Sequence, residues 1–235
     1  ESFAARTASE NKLRRFVADA SHELRTPLTA IRGFAELHRQ GAVKGEAATS
    51  ELVGRIENES VRMGALVEDL LTLARLDQSR DLVHAPVNLT ELVTEAAESA
   101  RAAGPDHLIT LNLPEEAFVL GDARKIHQVV ANLLANARIH TPVGTPIAVS
   151  IESNDEGTSI SIADSGPGLS QEDQARIFER FYRADPSRNR ANEEGSGLGL
   201  SIVDAVMQAH GGKVGVTSKL GEGATFTVFF PLAAS

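Results

Sequence analysis

The 235-residue sequence has no cysteine and no tryptophan. Disulfide scaffolds, thiolate zinc sites and cysteine nucleophiles are therefore excluded, and a reducing compartment is allowed without being required. Aromatics are scarce, at nine Phe and one Tyr, and the net charge is −9. Neither the stacking platform nor the positive field of a general nucleic-acid binder is present. No apolar run reaches the roughly 18 residues of a membrane span, and no signal-peptide pattern opens the chain. It begins Glu1-Ser2-Phe3 rather than with Met, which suggests a fragment of something longer. What remains, 42% hydrophobic and 23% charged, suits one large globular domain or two modest ones.

Charge is unevenly spread. Residues 1–80 hold 12 of the 23 basic and 12 of the 32 acidic residues, so residues 81–235 carry the whole surplus. Five of the basic residues in that acidic part (Arg176, Arg180, Arg183, Arg188 and Arg190) fall within one short stretch. Such clustering reads either as a local anion site or as a solvated basic face.

The first eighty residues read as two long helices, about Ser9–Gln40 and Ala47–Gln78, turned by Gln40-Gly-Ala-Val-Lys-Gly45. Leu52, Ile56, Glu59, Met63, Leu66, Leu70 and Leu73 follow alternating steps of four and three, a heptad seam with one polar interruption. A bare hairpin buries only one seam, and each buried Leu or Ile contributes roughly 1.5–3 kcal/mol. Pairing two hairpins into a four-helix bundle resolves the shortfall, so a homodimer is expected. At about 100° per residue, Phe16, Val17, Ala20, Leu24, Pro27, Ile31, Phe34 and Ala35 lie within about 60° of Leu13. His22 lies opposite, facing solvent, with Thr26 about 40° from it. Pro27 removes a helical donor and disturbs the carbonyl of Glu23, at a cost of about 3 kcal/mol. Loosening the helix beside a reactive side chain is one reason to accept that cost. A zincin reading of His22-Glu23 fails, because H-E-x-x-H needs a histidine where Thr26 stands.

Ser21-His22-Glu23-Leu24-Arg25-Thr26-Pro27-Leu28-Thr29-Ala30-Ile31 resembles the H box of bacterial sensor histidine kinases. The resemblance implies that His22 is the phosphoacceptor, that Glu23 assists its deprotonation, and that Thr26 positions the water that dephosphorylates a partner response regulator. The chemistry suits the residue, since a neutral imidazole is a competent nucleophile near neutrality. Residues i and i+1 diverge on a helix, so Glu23 reaches the ring only through its rotamer or a kink.

The sequence expects a polar linker over residues 81–87 and a second domain over 88–235. Asn88-Leu-Thr-Glu91 caps a helix running to about Ala102, followed by strands near Leu108–Leu113 and Phe118–Leu120 and a helix from Ala123 to about His140. Strands are expected at Ile147–Glu152 and Thr158–Asp164, and a short helix after Ser170. A helix from Leu200 to His210 and strands near Lys213–Thr217 and Thr225–Phe230 complete an α+β two-layer domain of mostly antiparallel strands.

Gly195-Ser-Gly197-Leu198-Gly199 entering a helix is a plausible phosphate cradle. It is neither a dinucleotide fingerprint, since a polar loop precedes it, nor a P-loop, since the lysine is missing. In order along the chain come Asn132-Leu-Leu-Ala-Asn136, Asp164-Ser-Gly166-Pro-Gly168, Ile177-Phe178-Glu-Arg180-Phe181-Tyr-Arg183, the glycine loop, and Gly221-Glu-Gly223-Ala-Thr225-Phe226. They resemble the N, first glycine, F, second glycine and third glycine boxes of the Bergerat (GHKL) ATP-binding domain of the same kinases. With the H box the likeness covers residues 9–232. It implies ATP as substrate, ADP as product and Mg²⁺ as cofactor, with Asn132 and Asn136 as metal ligands. Asp164 would accept from the adenine 6-amino group, Gly166 and Gly168 would let backbone approach the base, and Arg183 and Arg180 would meet the phosphates. Gly195, Gly197, Leu198, Gly199 and Thr225 complete the expected nucleotide contacts, and residues 169–196 would form a lid.

One departure stands out. Where many members carry Lys or Arg three residues after the second asparagine, this chain has Ile139, and Arg138 sits one place earlier. Gyrase-like and chaperone ATPases of the same fold place a catalytic Glu four residues before the metal-binding Asn; here that position is Asn132, which cannot act as a base. Net ATP hydrolysis and a scaffold without chemistry are thus the rival readings. The expected partners are a second copy of the chain and a response-regulator receiver domain, with no nucleic acid and no membrane contact by this fragment. The resemblance further implies a cytoplasmic position, in a longer protein anchored in the bacterial cell membrane.

Overall fold

In a computed structural model the described residues are 2–77, 83–184 and 196–232, excepting the side chains of 2–15 and 77. The chain divides into two compact units, residues 1–72 and 73–235.

The first unit is built on α1 (Ser2–Arg39) and α2 (Glu46–Asp77). The turn between them forms because Gly41, at φ +70°, can take a left-handed conformation. Gly41 N–H then reaches the His38 carbonyl and Ala42 N–H the Leu37 carbonyl, a Schellman stop. Helix α1 is continuous through Pro27, whose side chain is buried. Seam residues Leu52, Leu66 and Leu73 are buried, and Ile56, Glu59, Met63 and Leu70 are half-buried. The stripe expected on α1 is covered on one flank only. Phe16, Ala20, Leu24, Ile31 and Phe34 are half-buried, whereas Val17 is 55% and Leu28 56% exposed and Ala35 is open. Val17 and Ala35 both lie at the same edge of the stripe, about 40° from its centre, where one α2 does not reach.

The second unit starts with a strand that the sequence reading places in the linker. β1 (Ala85–Asn88) pairs antiparallel with β3 (Phe118–Gly121), so residues 85–87 belong to the domain. Pro86 obscures this strand in the sequence, and a two-stranded edge is where proline is tolerated. Asn88 then caps α3 (Leu89–Ala103) through the Thr90 N–H, and Asp122 caps α4 (Ala123–Ile139) through the N–H groups of Arg124 and Lys125.

The main sheet contains β2 (Ile109–Asn112), β4 (Ile147–Asn154), β5 (Gly157–Asp164), β6 (Lys213–Lys219) and β7 (Gly223–Pro231), in the order β2-β4-β5-β7-β6. Among the described residues only the β2–β4 pairing is parallel. Strand alternation sends Ile160, Ile162, Phe226, Val228 and Phe230 to one face, where α3, α4 and α6 (Gly199–Ala209) form the second layer. Val129, Val130, Leu133, Ile202, Val203 and Met207 answer them from the helices, fully buried. Short α5 (Gln171–Arg176) follows β5.

Candidate functional site

In the first unit the expected site residues lie on one helix. His22 is exposed on α1, as its phase against the apolar stripe requires, and Thr26 is exposed one turn on. The Thr26 hydroxyl leans back to the His22 carbonyl at 3.4 Å, a long contact, while Ser21 and Thr29 bond the Val17 and Arg25 carbonyls at 2.7 and 2.8 Å. These hydroxyls bracket the turn that Pro27 weakens. Glu23 is half-buried and makes no hydrogen bond or ion pair among the described residues, so its carboxylate is not engaged with the ring in this arrangement.

In the second unit the expected residues come from three elements. Asn132 and Asn136 share a face of α4 one turn apart. Asn132 Nδ2 donates to the Gly199 carbonyl at 3.2 Å, tying α4 to the first residue of α6. Asn136 is half-buried and uses its amide on nothing among the described residues.

Asp164 ends β5 with its Oδ1 accepting the Gly166 N–H at 2.8 Å and its carboxylate also meeting the Ala224 N–H. Burial raises its carboxyl above the usual range, against the pull of those two N–H groups and of the His140 ring. His140 closes α4 and lies between charges. More than a third of its surface is open, yet desolvation of the ring lowers its pKa, the Arg183 guanidinium lowers it further, and Asp164 opposes both. Arg183 is thereby placed in the electrostatic neighbourhood of His140. The stem of Arg138 crosses Gly104 at the end of α3, where a Cβ would meet Arg138 Cδ. Arg180 is half-buried on the same turn as Phe181.

The glycines have particular reasons. A Cβ on Gly166 would meet Thr141 Cγ2 at 2.6 Å and Asp164 Oδ1 at 2.7 Å. One on Gly168, at φ +70°, would meet the Lys219 carbonyl, so the close approach of the β6–β7 turn requires a glycine here. Gly197 is left-handed at φ +69° and accepts from Phe181 N–H at 2.9 Å, and Phe181 itself is held at φ +61°. Gly195, Arg188 and Arg190 lie outside the described residues.

Two expected contacts need correction. Leu198 is fully buried, so only its backbone can face a ligand. Asp164 pairs with Ala224 across β5 and β7, so Thr225, one residue on, points to the opposite face of the sheet. The first part of the expected lid is also fastened. Gln174 Nε2 donates to the Leu169 and Ser218 carbonyls at 3.1 Å each, and Ser218 N–H donates to Gln174 Oε1 at 3.2 Å. Tyr182 donates to Asp173 at 2.8 Å, with Arg176 4.5 Å above its ring.

Nothing in the sequence marks His107 and Thr141 as parts of this site. Both are ordinary residue types outside the motifs, and only the fold brings them together.

Among the described residues no group of three His, Asp or Glu side chains could hold a metal. The donor set suits a magnesium ion that arrives with its own phosphate ligands: an unengaged Asn136 amide and the remaining oxygen of Asn132 are hard, neutral donors on one helix face.

An α+β lobe that presents a half-buried carboxylate, glycine turns and a paired asparagine face, joined to a hairpin with an outward histidine, defines a class of two-part phosphotransfer protein. Comparison gives the family. Residues 12–79 match the His Kinase A (phospho-acceptor) domain, and residues 121–234 match the histidine kinase-, DNA gyrase B- and HSP90-like ATPase family. The probable sensor histidine kinase TcrY of Mycobacterium tuberculosis is 48% identical over 230 residues, covering 97% of this chain and 48% of that protein. The solved mycobacterial sensor histidine kinase MprB is 31% identical with a TM-score of 0.56, over 63% of this chain and 97% of that one. Histidine kinase ThkA, solved in complex with response regulator protein TrrA, is 25% identical with a TM-score of 0.75, over 97% of this chain and 64% of that one. The chain belongs to the two-component sensor histidine kinases. It spans about half the length of the curated relatives it matches. Its ATPase-type fold implies ATP binding, and no helix among the described residues is long and apolar enough to cross a membrane.

Proposed function

We propose that this chain is the catalytic portion of a sensor kinase that phosphorylates His22 from ATP and passes the phosphoryl group to an aspartate of a response regulator. The observation that carries the reading is the exposed imidazole of His22 inside a matched phosphoacceptor hairpin. An imidazole nitrogen attacks the γ-phosphorus, the bond from that phosphorus to the β,γ-bridging oxygen breaks, and ADP leaves. Glu23, after a rotamer change, takes the ring proton. The acceptor carboxylate of the regulator then displaces the imidazole, and Thr26 holds a water for the later hydrolysis of the aspartyl phosphate.

Asp164 fixes the base, since its carboxylate accepts from the 6-amino group of adenine while guanine presents a second acceptor there. Arg183, with Arg180, Arg138 and Gly195–Gly199, receives the phosphates. Asn132 and Asn136 would hold Mg²⁺, which when bound neutralises phosphate charge and orients the γ-group.

A second copy of the chain is the proposed cover for two open apolar flanks of the hairpin. These are Val17, Leu28 and Ala35 on α1, and Val53, Val67 and Leu71 on α2. A cytoplasmic place beneath a membrane-anchored sensor segment is proposed from family membership alone.

Incubation with γ-labelled ATP tests the reading. Acid-labile, base-stable label on the protein supports it; free phosphate alone would indicate an ATPase, and neither product a scaffold.

A further inference from the structure

Between α3 and β2 stands His107, 7% exposed and thus one of the few polar residues buried in the second unit. Its Nε2 lies 3.3 Å from the Thr141 hydroxyl. That hydroxyl spends its single hydrogen on the Ala137 carbonyl at 2.7 Å. Toward His107 it can therefore only accept, which fixes the imidazole as the donor and places a proton on Nε2.

Thr141 has a second contact. Its methyl group bounds the space above Gly166, where an added Cβ would stand 2.6 Å from Cγ2. The Gly166 N–H in turn holds Asp164 Oδ1 at 2.8 Å. A buried imidazole, a threonine rotamer, a glycine turn and a base-reading carboxylate thus form one chain of contacts. Its origin is 57 residues away in sequence from the carboxylate, counting from 107 to 164. The α3–β2 turn is itself held, His107 N–H donating to the Gly104 carbonyl at 3.2 Å.

We propose that His107 is a positioning residue for nucleotide recognition: its Nε2–H locks the Thr141 rotamer, and that rotamer sets the Gly166 turn that aims the Asp164 carboxylate. Without His107 the Thr141 hydroxyl keeps only its bond to the Ala137 carbonyl, so the side chain turns about χ1 more readily, taking its methyl off Gly166 and freeing the turn to drift. Recognition of a hydrogen-bonded base is sensitive to such drift, because a donor and acceptor displaced by half an ångström pair poorly.

The inference rests on the reading of Asp164 as the adenine acceptor, and the test separates the two. Affinities for ATP and for inosine triphosphate, which has a carbonyl in place of the 6-amino group, are measured by calorimetry on the whole chain and on His107→Leu, His107→Gln and Thr141→Val, with melting temperatures alongside. The expected result is that His107→Leu and Thr141→Val weaken ATP roughly fivefold and inosine triphosphate little, which narrows the preference. His107→Gln, whose amide nitrogen can occupy the Nε2 position, keeps the wild-type ratio. If His107→Leu does not fold, Thr141→Val against His107→Gln carries the same comparison. A wild-type preference that survives His107→Leu and Thr141→Val unchanged, even with lower melting temperatures, overturns the inference and leaves Asp164 standing. A wild-type chain without preference overturns the Asp164 reading and the inference with it.

Discussion

The two units solve opposite problems. The hairpin keeps the residues proposed to react on the outside of one continuous helix, so His22 and Thr26 are fixed by helical phase alone. Nothing beyond one turn needs to fold correctly for them to face outward. The sheet domain keeps its site half-buried and assembles it from α4, the end of β5 and the start of α6, with contacts such as Asn132 to Gly199 and Asp164 to Ala224 crossing long stretches of chain. A nucleophile that must be presented to different partners gains from exposure. A carboxylate proposed to read a base gains from walls, because a polar group is discriminating only where water cannot substitute for its partner.

Substitutions should separate the two units accordingly. The largest effect is expected from His22→Gln, which removes all incorporation of label from γ-labelled ATP while leaving ATP affinity within error by calorimetry. Next, Asp164→Asn should weaken ATP by roughly two orders of magnitude, leaving the hairpin's helicity by circular dichroism untouched; affinity unchanged by calorimetry would refute its assignment. Gly223→Ala should cost roughly 3 kcal/mol or more in urea unfolding of the second unit, since φ is +90° and the new Cβ would meet the Asp164 carbonyl at 1.9 Å.

A smaller effect concerns pH. His210 Nε2 accepts the Asp122 N–H at 3.0 Å and its Nδ1 faces the Val206 carbonyl at 2.8 Å, so the ring is held neutral between β3 and α6. Burial depresses its pKa below the ordinary imidazole value, the Val206 carbonyl opposes, and His84 and Asp122 act in opposite directions. The unfolded chain therefore takes up the proton first as pH falls. The stabilisation is complete above about pH 6.5 and is lost below it, down to the folded value. Thermal unfolding of the second unit should show this acid loss, and His210→Gln should flatten it. Smallest is Gly64→Ala in α2, where a Cβ meets nothing within 4 Å. It should stabilise an isolated hairpin by roughly 0.5–1 kcal/mol, and a loss instead would show that another surface packs against that face.

Legibility in the sequence followed the same division. Helical periodicity locates the seam of α2 and the outward phase of His22, because both depend on residues one or two turns apart. Caps are equally local, and Asn88, Asp122 and Ser170 start their helices through side chains that bond within three residues. Strand direction is less forgiving. Thr225 sits in a motif beside the site, yet a two-residue period sends it to the far face once Ala224 is opposite Asp164. Pro86 hid β1, and the width of the α1 stripe did not reveal which flank a single α2 would cover. His107 had no local signal at all, since its partner is 34 residues away and neither residue belongs to a motif.

The hydrogen bond from Phe181 N–H to the Gly197 carbonyl also limits what position 197 can hold. It clips two left-handed residues together, Phe181 at φ +61° and Gly197 at φ +69°. A Cβ added to Gly197 would press on the Phe181 backbone at 3.0 Å. A side chain there is therefore penalised twice, once for its own backbone conformation and once for the neighbour it displaces.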